Sequence, residues 1–352
     1  MEVITSKKDW NNILKNFEMF DDVYFKYEYF KIYKRHYRVD IEGIYWEDDN
    51  INIFLGHLIR DISKIPLFKD FKYFDLTTPY GYGGPLIITK SNDKDHIKRS
   101  LIKFKKDYYD YCKSKNYVCE FIRFHPVFEN YKYLNNVFSI EYINDTVVID
   151  LRKDIDTIYK SLKKGHKYNI KKTIKEGCIV NVILDPSPED IDNFMLCYNE
   201  MLRRNESPKK YYFTKDFIKD HFNYLEALLI TIEHNNRCIG ASIFIKGKNI
   251  LHYYLSGSFK IKGVYPNDLI IWEAIKYGKK NNFKYLFLGG GRGSNDSLFK
   301  YKSGFSNNYK QFYIGKIIFN NEIYNKLINI TGLNKDDRFF PLYRKINDIN
   351  II

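Results

Sequence analysis

The chain has 352 residues, 44% of them hydrophobic and 28% charged, which suits about two domains at roughly 100–200 residues each and excludes wholesale disorder. Its longest apolar runs, such as 227–232, fall far short of the ~20 residues that cross a bilayer, which excludes a transmembrane helix. With 57 Lys and Arg against 43 Asp and Glu the net charge is +14, a balance that suits nucleic acid, phosphorylated cofactors or an anionic membrane surface, although AT-biased coding explains the lysine excess equally well.

In chain order, 23–25, 51–55 and 71–76 read as strands, rich in aromatic and β-branched residues. Residues 77–85 hold three glycines and two prolines and suit neither helix nor ladder. A helix follows over 93–115, with Ile97, Leu101, Phe104 and Tyr108 at helical spacing, then strands over 117–124 and 144–151. Residues 152–177 read as one long helix, or two hinged at Gly165, with Tyr159, Leu162, His166, Ile170 and Ile174 as its apolar stripe and Gly177 as its C-terminal cap. A helix over 188–205 precedes strands 227–233, 237–246 and 249–257, whose short turns suit an antiparallel meander. Asn267 is placed to cap a helix over 268–281, and a strand over 284–288 runs into Gly289-Gly290-Gly291-Arg292-Gly293. The order is that of a mixed α/β (α+β) protein with two domains, 1–145 and 146–335, and a polar tail, 336–352.

Three segments are candidates for chemistry. The loop Tyr80-Gly81-Tyr82-Gly83-Gly84-Pro85 offers close backbone approach and two phenols, as a binding loop or a tight turn between strand and helix. It is neither a Walker loop nor a dinucleotide fingerprint, because the glycine spacing fits neither. Residues 152–175 carry nine Lys and Arg and two Asp, half of the chain's net charge. Lys160, Lys164, Lys167, Lys171 and Lys175 recur at helical spacing, as a phosphate-binding ridge or a solvated helix face. Residues 288–305 end a strand in glycines and then bring Arg292, Asp296, Lys300 and Lys302. Backbone N–H groups in such a turn hold oxyanions, and on a strand the two lysines share one face; a β-turn with surface charges is the other reading.

Smaller signals are Arg123 and His125 at a strand end, where a core or capping histidine is the stronger reading, and Arg203 with Tyr212, which line a cleft or simply end a helix. His252, Tyr254, Ser256 and Ser258 alternate along one strand face. His166 lies on the apolar stripe and reads as a core or boundary residue. The five cysteines are scattered, without a C-x-x-C pair, and fit neither a disulfide framework nor a zinc site. The first eight residues lack a signal-peptide core, so a reduced cytoplasm is expected.

Together 80–85, 163–177, 253–258 and 288–305 resemble the Fem-type (FemABX-like) branch of the GNAT N-acyltransferase superfamily, which includes peptidyltransferases that build peptidoglycan bridges. The resemblance spans about 75–306. It implies tandem GNAT-like acyltransferase folds with a cleft between them, and transfer of an acyl or aminoacyl group to an amine without a covalent enzyme intermediate. It implies acyl-CoA or aminoacyl-tRNA as donor substrate and a small-molecule, glycan or peptide amine of a cell-envelope precursor as acceptor; no metal cluster stands out among the residues, so no metal is expected. In Tyr301-Lys302-Ser303-Gly304-Phe305, Lys302 matches the substrate-binding lysine of the family's Phe-Lys-x-x-Phe-like segment. A helical-hairpin arm for tRNA is missing from the sequence, and Arg237-Cys238-Ile239-Gly240-Ala241 is only a distant echo of the GNAT pyrophosphate signature.

On this basis Lys302 and Asp296 are the expected catalytic pair, Asp296 handling the amine proton. Tyr80, Gly81, Tyr82, Gly83, Gly84, Arg123, His125, Arg203, Tyr212, Tyr254 and Ser256 are expected to bind substrate. Lys164, Lys167, Asn267, Gly290, Gly291, Arg292 and Lys300 are expected to hold the donor's phosphates. Peripheral contact with an anionic membrane through the basic ridge is a further expectation. The non-enzyme alternative is a nucleic-acid-binding module on the same ridge, disfavoured because its aromatics lie on the apolar stripe.

Overall fold

The computed structural model describes residues 1–291, 293, 296–334 and 339–346. In chain order the elements are β1 (Glu2–Ile4), α1 (Lys7–Leu14), α2 (Tyr27–Tyr37), β2 (Asp40–Glu47), β3 (Ile51–Asp61), β4 (Phe74–Thr77), β5 (Leu86–Thr89), α3 (Lys94–Ser114), β6 (Tyr117–Arg123) and β7 (Ser139–Asp150). There follow α4 (Ile155–Ser161), α5 (Lys164–Lys175), β8 (Ile179–Ile183), α6 (Pro188–Arg204), α7 (Lys215–Tyr224), β9 (Ala227–His234), β10 (Arg237–Lys246) and β11 (Ile250–Ser258). The last are α8 (Pro266–Lys280), β12 (Tyr285–Gly290), α9 (Ser297–Lys302), β13 (Tyr309–Ile318) and α10 (Asn321–Thr331). Several helices begin where side-chain oxygens take up orphan N–H groups. Asp93 accepts from Asp95 N and His96 N at α3, and Ser187 with Asp190 forms a capping box at α6.

Two compact units emerge: unit 1 is 1–143 with 311–352, and unit 2 is 144–310. The boundaries fall inside β7 and inside β13. Residues 311–334, which the sequence places in the second domain, therefore fall in unit 1. The reason is strand pairing: Ile314–Ile318 of β13 runs antiparallel to β6, with Gly315 opposite Ile122.

In unit 1 the strand order is β1-β2-β3-β4-β6-β13, with β5 also on β3. β2 and β3 form a long antiparallel pair, Asp40 opposite Ile59 through Glu47 opposite Asn52. Residues Ile44, Trp46, Ile53 and Leu55 build a core with Leu101, Phe104 and Tyr108 of α3. Elsewhere Trp10 packs on Phe30 and Phe54 and donates from Nε1 to Phe25 O at 2.9 Å. Val23–Phe25, expected as a strand, is a single 3-10 turn with all three side chains buried. Strand alternation cannot bury three successive side chains on one face, and Asp22 caps the turn at Tyr24 N.

In unit 2 the order is β8-β9-β10-β11-β12-β7. β8 to β11 are antiparallel, β11 and β12 are parallel, and β12 and β7 are antiparallel. Leu228, Ile230 and Ile232 of β9 face a core with Ile170 of α5 and Leu269, Ile270 and Ala274 of α8. The alternate residues of β9 face the other way, and α6 and α7 cover the meander there. Each fully buried Leu, Ile or Phe contributes ~1.5–3 kcal/mol, so this core anchors α5 and α8 to the sheet. The basic segment is two helices, but they break at Leu162 and Lys163 rather than at Gly165. Leu162 is extended (φ −61°, ψ 142°), and Lys163 N donates to Gly304 O at 2.9 Å.

Unit 1 also buries charge. His57 of β3 lies between Glu42 (Nε2 to Oε1, 2.9 Å) and Glu120 (Nδ1 to Oε1, 3.4 Å). Tyr108 donates to Glu120 at 2.8 Å, and Tyr111 and Tyr117 donate to Glu42 at 3.1 and 3.2 Å. Burial alone would push the imidazole down, but the hydrogen bonds and charges of Glu120 and Glu42 outweigh it and raise His57 to about 9. A folded value above the unfolded one stabilises the chain fully below about 6.5, and that contribution is lost as pH rises through about 9. The melting temperature of the wild type should therefore exceed that of His57→Gln most below pH 6.5, and calorimetry should show the gap narrowing toward pH 9. A gap that stays constant across this window would exclude a protonated His57.

Candidate active site

In unit 2 the glycine segment and α9 form one device. Asp296 caps α9, accepting from Phe299 N at 2.7 Å and from Gly293 N at 3.2 Å. Because 297–302 is helical, Lys300 and Lys302 point in different directions and do not share a face as strand residues would. Lys300 is exposed, whereas Lys302 is only 8% exposed. Lys302 turns back to the end of β12 and donates from Nζ to Gly290 O at 2.8 Å. The Tyr253 ring lies 5.7 Å from the same nitrogen. Burial lowers Lys302 to about 8, against the opposing pull of Asp296. Asn144 of β7 holds the other side of the segment, Nδ2 donating to Gly291 O at 3.2 Å.

A second network fixes α9. His166 of α5 meets Asp268 Oδ1 through Nδ1 at 2.6 Å and the Tyr301 carbonyl through Nε2 at 3.1 Å. Asn169 Nδ2 donates to Asp268 Oδ1 at 3.2 Å, and Tyr301 OH to Oδ2 at 3.4 Å. The imidazole stacks on Phe305, 4.0 Å between ring centres. Position 304 must be glycine, since a Cβ there would overlap the His166 ring. Three helices, α5, α8 and α9, thus converge on one carboxylate in the first turn of α8, where the helix dipole favours negative charge.

The floor comes from β10 and β11. Ser242 Oγ donates to Ser256 Oγ at 2.6 Å, and both hydroxyls lie beside the half-buried Tyr253 phenol. The alternation expected from the sequence does not hold here. Ile243 pairs with Leu255 but Phe244 with Tyr253, so a bulge at Tyr254 breaks the parity. Tyr254 goes instead to His221 of α7, OH to Nε2 at 3.1 Å.

β11 and β12 pair in parallel only over 250–252 and 285–287, after which β12 continues along β7, Gly290 opposite Thr146. α8 begins at Pro266, not after Asn267 as expected. Proline suits the first helical position, where its missing N–H costs nothing, so Asn267 is the second residue of the helix. Its Oδ1 is buried and has no hydrogen-bond partner among the described residues.

The remaining expected residues divide between the units. In unit 1, Tyr80 O accepts from Tyr29 OH at 2.5 Å, and Asn130 Nδ2 donates to Gly83 O and Pro85 O at 2.8 and 3.0 Å. Gly81 and Gly84 both have positive φ, 97° and 85°, so the loop is a pinned turn. Tyr82 lies edge-on between Tyr24 and Phe312, and burial pushes its phenol up. Arg123 stacks on Phe121 with its amide on Thr78. His125 stacks on Phe128, its Nε2 3.8 Å from Asp22. Unit 1 therefore gathers Tyr80–Gly84, Arg123 and His125.

In unit 2, Arg203 pairs with Glu200 on the surface, Tyr212 is exposed, and Arg204 donates to Ser258 O at 2.9 Å. Lys164 is exposed at the start of α5. Lys167 donates to Lys160 O at 3.1 Å, closing the end of α4. Ile174, expected on the apolar stripe, is 54% exposed, and Tyr168, among the ridge lysines, is 58% exposed. Arg292 lies outside the described residues. Sequence reasoning did not single out Tyr253, Ser242, Asn144, Asn169 or Asp268; Asn169 and Tyr253 lay inside the family-like segments 163–177 and 253–258, and Asp268 is acidic and two residues past a proline.

Residues 160–317 match the family model of the acetyltransferase (GNAT) domain. The chain is similar in structure to FemX (TM-score 0.64, 11% identity, 93% of this chain and 99% of that one). It is also similar to L-PGS from Bacillus licheniformis (0.57, 13%, 94% and 97%). A third likeness is to a tandem GNAT protein from the clavulanic acid biosynthesis pathway (0.53, 6%, 90% and 98%). Among curated proteins none matches the sequence. The chain thus carries an acetyltransferase (GNAT) domain match over residues 160–317 and has a tandem GNAT fold of mixed α/β type, similar to that of FemX and L-PGS.

Proposed function

We propose that the chain is an N-acyltransferase that moves an acyl group from acyl-CoA to an amine of a cell-envelope or amino-sugar precursor by direct attack. The observation that carries this reading is the buried Lys302 ammonium at the glycine end of β12, where the parallel strands have parted. One of its three hydrogens is used on Gly290 O, which leaves two for a ligand. A desolvated cation at that point stabilises an oxyanion as charge develops in the tetrahedral intermediate. The α8 N-terminus with Asn267 supplies donors for the acyl-CoA substrate's polar groups. Aligned proximity of thioester and neutral amine does the rest, with effective molarities of roughly 10⁵–10⁸ M.

Asp296 serves here as a positioning residue. Its two oxygens are taken by backbone N–H groups, so it sets α9 and hence Lys302, and the amine proton leaves to water. Among the described residues no helix is long and apolar enough to cross a membrane, so an envelope acceptor would be met at a membrane face or as a free precursor.

A second reading takes aminoacyl-tRNA as the donor. What favours it is the exposed Tyr168, with Lys172 Nζ 5.8 Å from its ring and Lys164, Lys171 and Lys175 exposed around it, a pairing of aromatic face and cations that suits nucleic acid.

Three measurements test these assignments. Lys302→Met should lose roughly 10²–10³-fold in kcat, and the alkaline fall of the wild-type rate near pH 8 should vanish in it; an unchanged rate would remove Lys302 from the chemistry. Asp296→Asn, which keeps the cap, should stay within a few-fold of wild type, whereas Asp296→Ala should lose about 0.5–2 kcal/mol of stability together with activity. Equal inactivity of the two variants would make Asp296 the base instead. Thermal shift with acetyl-CoA and longer acyl-CoAs should raise the melting point, and RNase should leave transfer intact; abolition by RNase would select the tRNA donor.

A further inference from the structure

Cys197 of α6 and Cys238 of β10 stand apart from the site just described. Their sulfurs are 3.8 Å apart, in contact but unbonded, and separated by 41 positions in sequence. Cys197 is fully buried, while Cys238 is partly open to solvent. The strand is irregular at this point: Cys238 pairs with Glu233 but Gly240 with Ile232, a bulge that leaves the ladder locally interrupted beside the thiol. Among the described residues the other three thiols have no such sulfur neighbour: Cys112 and Cys119 are fully enclosed and pushed up by burial, and Cys178 is likewise raised. Cys197 too is pushed up, by its hydrogen bond to Cys238 and by burial, so Cys238 alone is lowered.

We infer that Cys197 and Cys238 form a redox-active dithiol that closes to an intrachain disulfide by exchange with a small-molecule disulfide. Cys238, the accessible member, is the attacking thiolate. The hydrogen bond from Cys197 holds its thiol below the usual range, which favours the reactive form. Its sulfur bonds to one sulfur of the small disulfide, whose S–S bond breaks; the first small thiolate leaves and takes up the proton that Cys238 gave to solvent. Cys197 then loses its proton, attacks the Cys238 sulfur of the mixed disulfide and expels the second small thiolate, which is protonated in turn. Two protein thiols are oxidised and one disulfide is reduced to two thiols, so atoms and electrons balance.

Bond formation needs the sulfurs to close from 3.8 Å to about 2.05 Å. α6 is drawn toward β10 by that step. The carbonyl of Cys197 lies directly over Gly257 of β11, the strand that carries Tyr253 and Ser256, so the closure is felt along the floor of the site.

The test uses the full chain, native, incubated with oxidised glutathione as the probe, then quenched by alkylation. The intact mass should fall by two hydrogens, three of the five cysteines should still alkylate after unfolding, and peptide mapping should join Cys197 to Cys238. Cys197→Ser should stop at a glutathione adduct on Cys238, and Cys238→Ser should take up none at position 197. The inference is overturned if the native wild-type chain keeps all five thiols, if the link joins another pair, or if it forms only in denaturant.

Discussion

Asp268 is the interaction on which unit 2 depends. One buried carboxylate receives His166, Asn169 and Tyr301, and through them α5 and α9 are referred to the start of α8. A buried polar network of this kind is stabilising only when complete, because each orphaned member costs its full desolvation. The glycine segment, the α9 cap and the lysine that reaches back to β12 all take their position from it. The inward-facing lysine is tolerable because its ammonium meets a backbone carbonyl and an aromatic face rather than bare hydrocarbon.

Unit 1 follows a different logic, with ions enclosed in its interior. Asp75 lies between Arg60 and Arg344, each Nε 2.6 Å from one of its oxygens, and also accepts from Tyr343 at 2.8 Å. The pattern is inverted at His57, one potential cation between two carboxylates. Such clusters add little net stability compared with an apolar core but make loss of one partner expensive. The residues expected from the sequence to bind ligand here, Tyr82 and His125, are packed in an aromatic layer with Tyr24, Phe25 and Phe128.

Much of this architecture was legible from residue order. The long helix over 94–114 announced itself by its apolar spacing, and the meander of β9 to β11 by its turns. Lys302 stood out because it closes a run of glycines and matches a family segment. What stayed hidden depends on geometry beyond neighbouring residues. The strand-like spacing of Lys300 and Lys302 misleads because Asp296 starts a helix before them. The bulge at Tyr254 reverses a face without leaving a mark in composition. Asp268 looks like any acidic residue in a first helical turn, and its partners come from 99 and 102 positions earlier and 33 positions later. The tail, read as polar, buries Tyr343 and Arg344, because their partner is a remote aspartate.

The interruption of unit 1 by unit 2 sets an order on synthesis. Residues 144–310 leave the ribosome as one contiguous body, whereas β6 waits for the strand at 314–318 and Asp75 waits for Arg344. Domains fold as units during translation, so the segment that emerges first is finished last. Until residues 314–344 emerge, Asp75 holds a single guanidinium and β6 an unpaired edge. A nascent chain exposed only through residue 310 would therefore carry a completed second unit and an open first one.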